Sequence, residues 1–397
     1  MPVANNTPWF ADICDEVRRQ GHDVCAIIDS GEGNLSARLT RLGIRHHRVG
    51  MEFAGHLDRS RPLFYGAGLP FAALQIARIL RRERIDIAHS HIFVGNLVTR
   101  AACRVTRTPH ATAAAGPRHL EAPVTRRIEQ LTWRFDDAII AGCEYIADLY
   151  RDFGAPADRV HTIYYGPPAE RFDPARVDAT IFRRDLGVAP GVPLVGLVAH
   201  FYPPMEGVQA PPATRRVGLK GQEHFIAAAR IVARRFPEAR FVLVGSGSNA
   251  RGEAYRQSLI EACRRDGFDA MLFSPHRVDI AETLASLDVA VQCALTESLG
   301  GTVEALLMER PTIATRVGGM PEAVRHEETG LLVPPADPPA LAVAIERFLA
   351  NREEAARLGR AGRRLMLDRF TLARTGQDLS ALYDRLSRSR SSDASSR

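Results

Sequence analysis

Residues 296–324, TESLGGTVEALLMERPTIATRVGGMPEAV, follow an apolar run at 288–293 and read as one compact unit of alternating structure. The run predicts a buried strand, and Gly300-Gly301 predicts a turn. A helix opens at about Thr302, and a second buried strand follows at 312–315. Strand, helix and strand in that order make a parallel crossover. The same alternation extends outward from this stretch. The second half gives strands at 193–199 and 240–244, with helices at 221–235 and 252–266. The first half gives strands at 23–28, 85–89, 137–141 and 160–165, with helices at 9–20, 68–83, 120–134 and 144–153. Buried strands separated by amphipathic helices predict an α/β fold of doubly wound, Rossmann-like domains.

A chain of 397 residues, at about 150 per domain, is expected to form two of them. The expected boundaries are 1–175 for the first domain and 193–365 for the second, with a Pro- and Gly-broken linker at 176–192. A long helical pattern runs over 353–386, and the polar tail 387–397 is expected to be disordered. A second irregular stretch, 202–218, follows the strand that opens the second half, where open α/β sheets place ligands. A doubly wound domain should open with a buried strand, yet only Met1-Pro2-Val3 precedes the first loop. Either that strand is short and lost or the true start lies upstream.

The composition, 45% hydrophobic and 25% charged, excludes fibrous, disulfide-scaffold and disordered classes. The apolar runs are too short to span a bilayer and the first residues lack the order of a secretory signal, so a cytoplasmic protein is expected. Six scattered cysteines show no metal spacing and are read as reduced thiols. A net charge of +6 favours anionic partners. Arg at 78, 81, 82, 84, 100, 104, 107, 118, 126, 127 and 134 predicts a basic, solvated first half, compatible with peripheral contact at the inner membrane surface. No nucleic-acid recognition motif accompanies the charge. Of 52 basic residues, 51 are Arg and one, Lys220, is Lys. A compact ammonium retained alone marks a chemical requirement such as a phosphate, against the plainer reading of chance survival.

The chemistry concentrates in the opening stretch. Gly300, Gly301 and Thr302 start a helix, whose unpaired amides suit a diphosphate. Glu297 and Glu304 flank that turn. Carboxylates repel a phosphate unless they hold something else, and sugar or ribose hydroxyls are the natural partners. For Glu304, stabilisation of the helix start is the competing reading.

These residues resemble the donor-sugar motif of the retaining family 4 glycosyltransferases of GT-B fold. Glu297, Gly300, Glu304, Pro311, Gly318, Gly319, Pro321 and Glu322 match it, although six residues rather than the usual seven separate the two Glu. The resemblance extends to His89 and His91, to the run ending IYYGPPAERF at 172, to Gly245-Ser-Gly247, and to the base-holding segment 273–279 that contains Arg277. Lys220 matches the family's diphosphate Lys. His200 stands where its Arg is usual, so Arg216 or Arg215 is the candidate substitute.

The resemblance implies two Rossmann-like domains facing a cleft, with 366–386 crossing back to complete the first. It implies transfer of a hexose-type sugar from a nucleotide diphosphate sugar to an acceptor hydroxyl, with retention and without a metal or other cofactor. Lys220, an Arg and the helix-start amides would stabilise the departing diphosphate, each strong donor contributing about 3 to 4 kcal/mol. Glu297 would orient donor hydroxyls, Glu304 the ribose, and His91 the transferring sugar. Gly245, Gly247 and Arg277 would lie on the nucleotide side. The acceptor is a small molecule or a lipid-linked saccharide. The alternative is a catalytically silent or epimerase-like sugar-nucleotide-binding protein of the same fold.

Overall fold

The computed structural model describes residues 8–30, 34–50, 62–205 and 211–395. The chain divides into two compact units. The first comprises Met1–His119, Thr125–Gly166 and Leu372–Arg397; the second comprises Leu120–Val124 and Pro167–Thr371.

In the first unit, β1 (Cys25–Asp29) pairs in parallel with β2 (Arg45–Val49). Separately, β3 (Ala88–His91), β4 (His110–Ala114), β5 (Ala138–Ala141) and β6 (Val160–Thr162) form a parallel sheet in that order. The helix Leu372–Ser395 belongs to this unit, where Leu379 and Leu382 join Ile13, Val17, Ala111 and Ile140 in one core cluster. Thr375 ties it down, accepting from the Gly166 amide (3.0 Å) and donating to the Tyr164 carbonyl (2.6 Å).

The second unit holds one six-stranded parallel sheet. Its strands are β7 (Leu194–Val198), β8 (Arg240–Val244), β9 (Met271–Ser274), β10 (Val289–Gln292), β11 (Thr312–Thr315) and β12 (Leu331–Val333). They lie in the order β12-β11-β10-β7-β8-β9. Both faces are covered by helices, and Val195, Leu197, Phe225, Phe241, Val291, Ile313 and Phe348 bury together. Each such side chain contributes about 1.5–3 kcal/mol. The strand order reverses between β7 and β10, which opens a crevice at their carboxyl ends.

Several expectations are corrected. Arg100, read as part of a solvated basic face, is 3% exposed and sits among buried carboxylates: Asp136 at 2.8 and 2.5 Å and Glu129 at 2.9 Å. His110 also bonds Asp136, at 2.7 Å. Residues 176–192, expected as a Pro- and Gly-broken linker, fall within the second unit. They carry the helix Ile181–Asp185, bury Phe182, and bond through Arg183 to Asp288 at 2.7 Å. The pattern at 353–386 breaks into Arg352–Arg369 and Leu372–Ser395, because Phe370 turns inward and is fully buried. The tail expected to be disordered is helical as far as Ser395. A helix already packed adds one hydrogen bond per further residue, so a polar continuation extends it. The expected opening strand falls on residues 1–7, outside those described, as does part of the 202–218 loop.

Candidate functional site

The crevice between β7 and β10 gathers the residues singled out at 220 and 297–304. The loop before the helix Gln222–Arg235 lies against the end of β10: the Leu295 amide donates to the Leu219 carbonyl at 3.0 Å. The Cys293 thiol donates to the Lys220 and Gly221 carbonyls at 3.5 and 3.2 Å. Gly221 has φ +70°, and a Cβ there would stand 2.2 Å from the Cys293 carbonyl oxygen. Only glycine permits this approach, which delivers the Lys220 ammonium to the Glu297 carboxylate as an ion pair. Both side chains keep partial access to solvent, at 18% and 17%.

Glu297 is positioned from two sides. Its other oxygen accepts from the Ser298 amide at 3.0 Å. Gly318, at φ +52°, passes so close that a Cβ would stand 1.7 Å from the Glu297 carbonyl oxygen. The turn Gly300–Gly301 then leads into the short helix Thr302–Leu307. Among the described residues neither the Gly300 nor the Gly301 amide has a backbone acceptor. Thr302 does not face a ligand: it is buried and its hydroxyl donates to the Leu299 carbonyl.

Glu304 carries the most telling chemistry. Its Oε2 is sealed from solvent and has no hydrogen-bond partner. Burial pushes its pKa up, and the nearby Glu297 carboxylate adds to this, against Arg171 and Lys220. A buried acceptor without a donor is destabilising by about 1–3 kcal/mol, and a bound hydroxyl would relieve it.

The nucleotide-side turn is less open than expected. The Gly247 amide is taken by the Glu253 carboxylate at 3.0 Å, and a Cβ on Gly245 would stand 2.1 Å from the Ala199 carbonyl. Gly245 lets the end of β8 pass close to the chain leaving β7, and Gly247 lets it approach the start of the helix Ala250–Arg265. Arg277 is also committed: it pairs with Asp279 at 2.5 Å and Asp185 at 2.8 Å and lies over the Phe182 ring. It therefore braces this unit. Arg216 is exposed. His200, in the place expected for Arg, stacks on His276 with centroids 5.6 Å apart and planes at 10°. Burial lowers its pKa against a backbone hydrogen bond at Ser246, with the neighbouring His276 and Lys220 adding to the lowering.

His91 belongs to the first unit. It is the last residue of β3, is 4% exposed, and sits among Trp9, Phe10, His89 and Tyr165 rings at 4.3–5.7 Å. Burial lowers its pKa well below the usual value, and the strand expected at 85–89 runs on to include it. His89, driven down to about 3 by burial, bonds Tyr383 at 2.6 Å. Arg171, whose charge acts on Glu304, and His276, stacked on His200, were not singled out in the sequence. Both lie in segments that carried the family resemblance, at the 172 junction and at 273–279, and that was the available signal. Among the described residues one cluster has metal-ligand types, Cys25, His47 and Glu83 in the first unit. There Glu83 is already bonded to His47 and Arg45 at 3.0 Å each.

Comparison with known proteins fits this geometry. Residues 8–166 match the family described as glycosyl transferase 4-like domain, and 214–351 match glycosyl transferases group 1. The D-inositol 3-phosphate glycosyltransferase of Saccharomonospora viridis is 30% identical over 317 residues, 75% of this chain and 69% of that protein. The corresponding protein of Nocardia farcinica is 28% identical over 71% of this chain, which spans 64% of that relative's length. The putative glycosyltransferase EpsD of Bacillus subtilis is 27% identical over 78% of this chain and 79% of its own. Among solved structures, Alr3699/HepE of Anabaena in complex with UDP and glucose has a TM-score of 0.76, 20% identity and 95% coverage of each chain. Sucrose-phosphate synthase of Thermosynechococcus elongatus has a TM-score of 0.75 at 20% identity, covering 94% of this chain and 91% of its own. These likenesses establish the GT-B fold, and with the family matches they show that this chain belongs to the group 1, family 4 glycosyltransferases.

Proposed function

We propose that the protein transfers a hexose-type sugar from a nucleotide diphosphate sugar to an acceptor hydroxyl, with retention of anomeric configuration and without a metal. The observation that carries this reading is the arrangement of Lys220, Glu297 and the partnerless Glu304 Oε2 at the β7/β10 crevice. It offers one cation for a diphosphate and two carboxylates for hydroxyls. UDP in the Anabaena structure makes a uridine diphosphate sugar the first donor to test.

When a donor enters, the Lys220 ammonium exchanges its Glu297 partner for diphosphate oxygens, and Glu297 turns to the sugar hydroxyls. As the bond from the anomeric carbon to the diphosphate breaks, negative charge grows on the leaving oxygen. Lys220 and the Gly300 and Gly301 amides are fixed beside it, so their stabilisation needs little reorganisation. The acceptor oxygen attacks from the face the diphosphate leaves and passes its proton to a diphosphate oxygen. Glu304 accepts a ribose hydroxyl. The first unit binds the acceptor, a small molecule or a lipid-linked saccharide, on the cytoplasmic side. Among the described residues no helix is long and apolar enough to cross a membrane.

The test is turnover of uridine and guanosine diphosphate hexoses in EDTA, with the product's anomeric configuration read by proton NMR. Product of the donor's own configuration, formed in EDTA, supports the reading. Inverted product or an absolute requirement for added metal overturns it.

A further inference from the structure

The connections that lead into three neighbouring strands of the first unit each carry arginine to one place. Arg104 and Arg107 close the helix Phe93–Thr106 ahead of β4. Arg134 stands in the short helical turn Trp133–Phe135 ahead of β5, and Arg159 ends the turn Ala157–Arg159 ahead of β6. Because β4, β5 and β6 run parallel side by side, all four residues arrive at the amino ends of one sheet. There they line a single cavity of about 410 Å³, with Phe135 and Leu386 as its apolar wall. That is room enough for a small molecule.

Four like charges around one space repel one another. Elsewhere in this unit carboxylates relieve such charge: Asp148 pairs with Arg151 at 2.7 Å, and Glu129 with Arg100 at 2.9 Å. Among the described residues none of Arg104, Arg107, Arg134 and Arg159 is paired with a carboxylate. The two carboxylates in the lining are engaged. Asp136 is held by Arg100 and by His110 at 2.7 Å, and Asp137 accepts from the His110 amide at 2.8 Å. The contacts of the four arginines are few and leave N–H groups over. Arg104 lies over the Phe135 ring at 5.6 Å, and Arg134 and Arg159 each reach one backbone carbonyl at 3.5 Å.

Arg107 adds an independent observation. It caps its helix at φ +60°, in the left-handed region where glycine is unstrained and a side chain is not. The backbone gains nothing from arginine there, so the guanidinium at the cavity is what the position supplies.

We propose that this cavity binds a phosphate-bearing ligand, its phosphate oxygens held by the four guanidiniums and its body resting on Phe135 and Leu386. A guanidinium bonds phosphate oxygens two at a time, and a multiply charged anion offsets the mutual repulsion of the four cations. The site lies wholly within the first unit, whereas Lys220 and Glu297 belong to the second.

Inorganic pyrophosphate is titrated calorimetrically into wild type, Arg107→Gly and Arg134→Gln in physiological salt, where scattered exposed charges are screened beyond about 8 Å. The same proteins are sedimented with phosphatidylcholine vesicles with and without phosphatidic acid, whose headgroup is a phosphomonoester. Both variants should melt no lower than wild type, since glycine suits the backbone at 107 and Arg134 has no ion pair to lose. Each should weaken binding about tenfold or more. Pyrophosphate held by the second unit is common to the three proteins and cancels in the comparison. A tenfold loss with pyrophosphate supports the proposal and makes the ligand a free phosphate compound. The same loss with phosphatidic acid vesicles alone supports it and makes the ligand a lipid headgroup. Equal binding by wild type and both variants in both arms overturns the proposal, and so does wild type that binds neither probe.

Discussion

Replacing Glu304 by Gln isolates what the buried carboxylate does. In the free protein its Oε2 has neither solvent nor donor, and burial raises its pKa. A ribose hydroxyl reaching that oxygen forms a hydrogen bond to a charged group, worth about 1.5–3 kcal/mol. Glu304→Gln keeps the shape and an acceptor but removes the charge. Affinity for UDP should fall about tenfold, and Glu304→Ala should approach a hundredfold. Calorimetric titration with UDP and with its 2′,3′-dideoxy analogue completes a double-mutant cycle. The deoxy analogue should bind wild type and Glu304→Gln alike, because the lost partner is the same in both. The pH dependence has a definite sign. Raised pKa in the free protein means that protonation competes with binding, so wild-type affinity for UDP declines as pH falls through that raised value. The Gln variant should be flat over the same window. If Glu304→Gln binds UDP as tightly as wild type, or discriminates the deoxy analogue as strongly, the ribose assignment is refuted.

Arg100→Met should destabilise the chain by about 3–5 kcal/mol in urea unfolding, since it strands Glu129 and Asp136, both fully buried, without their cation; a loss under 1 kcal/mol contradicts this. Burial pushes the Asp136 carboxyl up, but hydrogen bonds from His110 and Arg100 outweigh it and hold the pKa below the ordinary value. A depressed folded pKa contributes stability above the unfolded value of about 3.9 and loses it as pH falls through the folded one. Asp136→Asn should therefore flatten the acid limb of the stability curve. Gly318→Ala should cut donor turnover at least tenfold and cost about 1 kcal/mol or more, because its Cβ meets the Glu297 carbonyl at a positive φ.

Four of the six strands of each unit were legible, with β9 and β12 missed in the second. The second unit's strands at 240–244 and 312–315 match expectation to the residue, because RFVLV and TIAT are short buried runs, the one stopped by Gly245 and the other started after Pro311. β2 was missed because RHHRV is polar on both faces, and β4 because HATAA is buried by size rather than by apolar character. Lys220, Glu297 and Glu304 stand out in the sequence by rarity and local spacing, and the structure gathers them at one crevice. Arg100 was misread because its partners Glu129 and Asp136 are 29 and 36 residues away, beyond any local pattern. The pairing of Arg277 with Asp185 was out of reach for the same reason, since Asp185 is distant in sequence.

The central claim is that Lys220 carries the charge of a departing nucleotide diphosphate. It is tested most directly by release of free hexose from UDP-hexoses in EDTA by wild type and Lys220→Met. Wild type should release it slowly, with a loss of about a hundredfold to a thousandfold in the variant, the usual effect of removing one preorganised donor. Equal release by both proteins, or no donor bound by wild type, would contradict it.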